Sequence, residues 1–336
     1  MADHAAHRQA PVFGFAFGYF ACYVLYATLT RLAAPETTPA APSFSLLAGL
    51  YVGVMLTVLP AVCVIHRLSP GRAAPGGLRT HHVVAGLCSA VIVVTTTLAY
   101  GFAGVSILLA LLLMRGGVLL MSPVLDWRHA RRPTPATFAA LGLSVLAVIL
   151  VIPSGDLSAM PAAAWINLSA YLLAYGLRLD AMTRFGKFGE HGARSRFFVR
   201  EQTVALVAMS GAMAAALALP SSLCDSLAAG FERAVDPRYA LYSVGLGAAY
   251  GLALCFGSLI YLDRRSNAFA VSLNRGASVA AGFVASGCLV LLTDQPGPST
   301  SVMLAAGLVL VALAILGARA GPDESDRAPR TAPDSA

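Results

Sequence analysis

The chain has 336 residues, a formal charge of +7 and a pI near 9.3, yet 57% of it is hydrophobic, only 12% is charged, and the mean hydropathy is +0.73. Soluble globular domains carry roughly a quarter charged residues, so the composition excludes the soluble classes. The basic residues fall mostly in short segments between apolar stretches, which argues against a nucleic-acid surface and predicts a polytopic membrane protein.

A helix needs about 20 apolar residues to cross a bilayer. Ten stretches qualify, at about 11–31, 44–65, 82–101, 103–125, 135–153, 162–182, 199–220, 239–262, 267–292 and 300–318. The first follows Arg8 and precedes the small residues Ala33 and Ala34, as a signal peptide would. Its aromatic content, its length and the weak basic region before it predict a retained helix instead. Tyr19, Tyr23 and Tyr26 are spaced by four and three, so they share one face of this helix. Gly14 and Gly18, Gly49 and Gly53 in the second span, and Gly247 and Gly251 in the eighth form GxxxG pairs, whose default use is close helix packing. Thr95, Thr96 and Thr97 give the third span hydroxyls, which either face a cavity or bond their own helix's carbonyls.

The fourth span, AGVSILLALLLMRGGVLLMSPVL, carries Arg115 near its middle. A guanidinium at that depth costs about 2.5–3.5 kcal/mol even on the lenient insertion scale, so it marks a protein-lined or water-filled site. The sixth span repeats the tyrosine spacing at Tyr171 and Tyr175, followed by Arg178. The ninth carries Arg275, and here two readings stay open. A helix starting near 267 buries Arg275, whereas one starting at Gly276 leaves it among headgroups, because Ser272 and Asn274 dilute the apolar run. Residues 320–336, rich in Pro, Asp, Ser and Arg, read as a disordered tail.

Connectors alternate in charge. Arg67, Arg72 and Arg79, then Arg128, Arg131 and Arg132, then Arg184, Lys187, Arg194 and Arg196, then Arg264 and Arg265 mark one side. The connectors near Glu36, Tyr100, Asp156, Asp225 and Asp294 carry few or no positive charges. The positive-inside rule makes the basic set cytoplasmic and puts both termini in the cytoplasm of an inner, or plasma, membrane. Five of the six cysteines fall within spans, leaving only Cys224 in an outer connector, so no disulfide is expected there. No histidines pair at metal-ligand spacing, and neither a metal nor a cofactor is expected.

Matches recur between the two halves in the same order. YVLYATLTRL with Tyr23, Tyr26 and Arg31 parallels YLLAYGLRL; MRGGV parallels NRGAS; Tyr100 parallels Tyr261; GLSVLAVIL parallels GLVLVALAIL. The fold class is therefore all-α, with ten transmembrane helices in two five-helix repeats, residues 1–156 and 157–319. Five is odd, so the second repeat is inverted, a common plan among secondary transporters with a midplane site between the repeats. Asp126, Asp180 and Glu201 all fall near expected cytoplasmic ends, which leaves positive charge alone at depth. Guanidinium groups suit carboxylate or phosphate oxygens.

This architecture, with the passage from MRGGVLLMSPVLDWRHARR to GLSVLAVIL, resembles the drug/metabolite transporter superfamily, including its EamA-like permeases. The resemblance implies a central cavity lined by the first, third, fourth, sixth, eighth and ninth helices. Carried over helix by helix, it implicates Tyr23, Thr96, Arg115, Tyr171, Tyr250 and Arg275 in substrate binding. The glutamate that EamA-type members often carry after the fourth helix is absent, with Arg131 and Arg132 in that region. The expectation is a secondary transporter, a facilitator or exchanger, for a small anionic metabolite or lipid-linked precursor, phosphate-bearing species included. A homodimer is compatible with this plan, and neither nucleic acid nor enzymatic activity is expected. Two alternatives stand beside it: a membrane-embedded enzyme acting on a lipid phosphate, and a non-transporting scaffold or sensor.

Overall fold

The computed structural model describes residues 2–34, 44–68, 77–102, 105, 107–128, 135–151, 160–187, 193–263, 267–293 and 297–319. Every regular element among them is a helix: α1 Ala2–Ala33, α2 Leu46–Leu68, α3 Thr80–Gly101, α4 Ile107–Arg128, α5 Pro135–Val151, α6 Ala162–Ala181, α7 Ala193–Ala218, α8 Ser222–Val235, α9 Ala240–Tyr261, α10 Asn267–Leu292 and α11 Thr300–Arg319. A π-helical stretch, Met182–Lys187, continues α6. Arg72, Arg131, Arg132, Arg264, Arg265, Glu36, Asp156, Asp294 and the tail 320–336 lie outside the described residues, as does the side chain of Asp126.

Six helices among the described residues, within α1, α2, α3, α7, α9 and α10, are long and apolar enough to cross a membrane. Shorter apolar runs lie within α4, α5 and α11, at Ile107–Val118, Phe138–Leu150 and Thr300–Ile315. Polarity is distributed as a bilayer requires. Phe17, Leu56, Ile166, Leu173 and Leu241 are mostly exposed, whereas Arg115, Arg178, Glu201, Gln202 and Arg275 are buried. Apolar side chains facing outward and charges facing inward are the arrangement of a multi-pass membrane protein.

Close helix contact is made by glycine, because lipid removes most of the hydrophobic drive for association and leaves packing to supply it. The GxxxG pairs of α2 and α9 lie against each other. A Cβ on Gly49 would sit 2.2 Å from the Ser243 hydroxyl, one on Gly53 2.3 Å from the Ala248 nitrogen, and one on Gly247 2.5 Å from the Leu50 carbonyl. The first-span pair is different: Gly18 meets the Phe256 ring, while Gly14 faces open space.

Packing links the two ends of the chain. α1 lies on α9 and α10, and α6 lies on α3 and α4; α2 meets α9 and α7, and α7 also meets α3; α5 lies along α11, and α4 along α10. These contacts surround a polar centre contributed by α1, α3, α4, α6, α9 and α10.

The connector near Asp225 folds as a helix, α8. The Ser221 hydroxyl caps its start by accepting from the Cys224 N–H at 3.3 Å. Asp225 in the first turn and Arg233 in the last complement the helix dipole. Leu227, Gly230 and Ala234, at spacings of three and four, form its buried face, and Gly230 abuts the Ser45 carbonyl just before α2. A helix this short and this polar is invisible to a search by span length.

Candidate functional site

Arg115 and Arg275 each stand in the third turn of their helices, α4 and α10, and are only 3% and 1% exposed. α10 begins at Asn267 and not at Gly276, so Arg275 lies within the helix and is buried among other helices. Because α4 begins at Ile107, Arg115 stands nearer its first turn than its last, rather than at its midpoint.

The two guanidinium groups converge on one oxygen. Arg115 Nη1 and Arg275 Nη1 both donate to the Tyr171 hydroxyl, the latter at 2.9 Å. Arg115 Nη2 donates to the Tyr23 hydroxyl at 2.6 Å, which in turn shares a 2.7 Å hydrogen bond with the Tyr100 hydroxyl. The Arg275 guanidinium also lies 3.9 Å from the centroid of the Tyr175 ring, a favourable cation–π position. The Nε–H groups of both arginines have no hydrogen-bond partner.

Tyrosine spacing on α1 and α6 builds the walls. Tyr19 and Tyr23 place ring centroids 5.3 Å apart, and Tyr23 and Tyr26 are 5.4 Å apart. Tyr171 and Tyr175 repeat the contact on α6 at 5.6 Å. Tyr26 also meets Tyr250 of α9 at 4.5 Å. Successive rings at i, i+3 and i+4 lie over one helix face, so the sequence spacing produced this wall directly.

Between the walls lies a cavity with about 360 Å³ of atom-free space, its mouth included. α1 contributes Tyr19 and Tyr23, α4 contributes Arg115, and α6 contributes Tyr175 and Arg178. Ile92 of α3, Tyr250, Ala253, Leu254, Gly257, Ser258 and Tyr261 of α9, and Asn274 and Arg275 of α10 complete it. These six helices are the first, third, fourth, sixth, eighth and ninth of the ten apolar stretches. Thr96 is set apart: its hydroxyl donates to the Ile92 carbonyl of its own helix at 2.6 Å, and it meets Tyr250 only at 3.4 Å. Tyr171 lies behind the surface and acts through its hydroxyl.

Sequence reasoning missed the most consequential group. Glu201, expected near a cytoplasmic helix end, stands in the third turn of α7 with no exposure and pairs with Arg178 of the cavity wall at 2.5 Å. The Ser89 hydroxyl donates to the same carboxylate oxygen at 2.6 Å, and Arg178 Nη2 donates to the Ser258 hydroxyl at 2.9 Å. Oε2 of Glu201 has no hydrogen-bond partner. Arg178 carried a signal, since it follows Tyr171 and Tyr175 on one helix; Glu201 carried none, because its partner belongs to another helix.

The charge balance is now defined. The Glu201 carboxylate offsets Arg178, whereas the hydrogen-bond partners of Arg115 and Arg275 are tyrosine hydroxyls. Two N–H groups sharing one oxygen lie within about 6 Å, which at an effective dielectric near 20 costs about 3 kcal/mol in mutual repulsion. A ligand that lowers this energy is an anion reaching both groups.

No protein-family model matches the chain, and no curated protein matches it in sequence.

Proposed function

We propose that the protein is a secondary transporter of a small anion, held in the central cavity by Arg115 and Arg275 and released by alternating access. The observation that carries this reading is the convergence of two buried guanidinium groups on the Tyr171 hydroxyl, with their Nε–H groups unpaired. Such a site is rich in donors, and planar guanidinium groups hold carboxylate or phosphate oxygens in bidentate fashion. Phosphate monoesters, lipid-linked phosphates and dicarboxylates fit these donors.

The packing supports a two-repeat design. When α1–α5 are matched in order to α6, α7, α9, α10 and α11, the neighbours exchange: α1 on α9 becomes α6 on α3, α2 on α9 becomes α7 on α3, and α1 on α10 becomes α6 on α4. The pairs α2 with α7, α4 with α10 and α5 with α11 map onto themselves. Arg115 and Arg275 are then equivalents, each in the third turn of the fourth helix of its half. In this reading residues 1–156 and 157–319 are inverted five-helix repeats, α8 is an addition to the second, and ten helices cross the bilayer. The basic connectors and both termini are cytoplasmic by the positive-inside rule, in an inner or plasma membrane. The same architecture underlies the proposed kinship with the drug/metabolite transporter superfamily.

The test is ligand-dependent thermal stabilisation of the purified protein across phosphate monoesters and dicarboxylates, followed by uptake of the stabilising anion into proteoliposomes. Anions that bind the folded state raise its melting temperature. Transport that continues undiminished in Arg115→Ala contradicts the reading.

A further inference from the structure

The carboxylate next to the cavity changes what the transporter can do. Arg178 belongs to the cavity wall, together with Arg115 and Arg275, but its charge is engaged by Glu201. We infer that Arg178 is a third anion ligand, that Glu201 is its resting counter-charge, and that entry of an anion moves Arg178 from one to the other while Glu201 takes up one proton. The transporter is then a proton–anion symporter. This rests on the reading of the cavity as an anion site.

Three features of the pair support exchange. Arg178 is otherwise tethered by a neutral hydroxyl, Ser258 on α9, so leaving Glu201 breaks only one charged contact. α6 ends three residues beyond Arg178 and continues as the π-helical stretch Met182–Lys187; π-helical turns are frequent at functional sites. Glu201 has a second oxygen, Oε2, with no partner, which is where a proton can be accepted without displacing Ser89.

The proton follows from burial. With Arg178 turned to the anion, the carboxylate keeps only the Ser89 hydroxyl, and a carboxylate buried without counter-charge neutralises itself by protonation. The step balances: Arg178 Nε–H leaves Oε1 for an anion oxygen, and a proton from water binds Oε2. No covalent bond of the anion changes.

Among the described residues, no cation other than Arg178 pairs with Glu201. α3 presents Ser89 and the Cys88 thiol, and α6 presents Arg178. α9 reaches the pair through Ser258, with Tyr250 and Tyr261 on the Arg178 side. On α7 itself, Gln202 has both amide atoms unpaired, and Arg200 acts on His81 and His82. α2 meets α7 at Tyr51 and Ser210, more than two turns from Glu201. Asp225 of α8 lies beyond the far end of α7, and Arg184 of the π-helical stretch is exposed and paired with Asp180.

The experiment uses the full-length protein in detergent, weakly buffered at pH 8 with a pH-sensitive dye. Glycerol 3-phosphate, glucose 6-phosphate and succinate are the probes, since phosphate monoesters have already lost their second proton at that pH (pKa about 6). Any probe that stabilises the wild type should draw close to one proton per anion bound, and its affinity should fall by up to tenfold per pH unit between pH 7 and 9. Glu201→Gln should abolish the proton uptake, flatten the pH dependence and bind the anion more tightly, because the competitor for Arg178 is gone. Anion binding without proton uptake in the wild type overturns the inference and leaves the anion site standing. Should Glu201→Gln fail to fold, the wild-type proton count alone decides. If no probe stabilises the wild type, the anion site itself fails and this inference with it.

Discussion

Arg115 and Arg275, 160 positions apart in the chain, donate to the same atom, the hydroxyl oxygen of Tyr171. An oxygen accepting from two cations uses both lone pairs. Tyr171→Phe removes the shared acceptor and leaves two buried donors unsatisfied. The expected cost is about 1–3 kcal/mol, read as a lower melting temperature, and a bound anion should recover most of it. A melting temperature unchanged by the substitution would show that the hydroxyl holds neither arginine.

The Arg178–Glu201 pair makes a second prediction. Removing one partner of a buried pair strands the other, at a cost of about 3–5 kcal/mol. Arg178→Met and Glu201→Leu should each lower stability by that much in denaturation measurements, and the double variant should recover a large part. Additive losses would mean that the two side chains do not act as a pair.

A third prediction concerns the contact between α2 and α9. Gly53→Leu forces a side chain into the backbone of Ala248 and Gly247, and folded protein in detergent should fall sharply. Gly14→Ala meets nothing within 4 Å and should be neutral or stabilising by up to about 1 kcal/mol, the helix-propensity difference. Equal yields of the two variants would contradict the contact.

Thr96 and Tyr250 should separate in anion-binding assays. Thr96 spends its hydroxyl on Ile92 of its own helix, so Thr96→Val should change anion affinity less than about twofold, below 0.5 kcal/mol. Tyr250 lines the cavity, and Tyr250→Ala removes an aromatic wall from it. Its affinity loss should be the larger of the two, measured by titration of thermal stability.

What the sequence revealed, and what it did not, follows from how each residue is stabilised. Arg115 was legible because an isolated charge in an apolar run is expensive wherever the chain folds. Tyr23 and Tyr171 were legible because helical spacing fixes which side chains share a face. Arg275 was legible through the recurrence of MRGGV as NRGAS, although its place inside the helix depended on a helix start that Ser272 and Asn274 obscured. Glu201 was not legible: distance from a helix end is a poor measure of burial when the partner, Arg178, comes from another helix. Tyr100 was visible as a repeat match, but its bond to Tyr23 depends on how α1 lies against α3. For Thr96, only the packing shows that its hydroxyl bonds Ile92 of its own helix and meets Tyr250 of α9, and α8 was hidden by being too short and too polar to count as a span.

In the proposed transport cycle Arg115 and Arg275 bind one anion together. Affinities for a stabilising phosphate monoester or dicarboxylate, measured in the wild type, Arg115→Gln, Arg275→Gln and the double variant, test it as a cycle. Each single variant should weaken binding tenfold or more, about 1.4 kcal/mol, and the double variant should lose much less than the sum. Single variants that bind the anion as tightly as the wild type would contradict it.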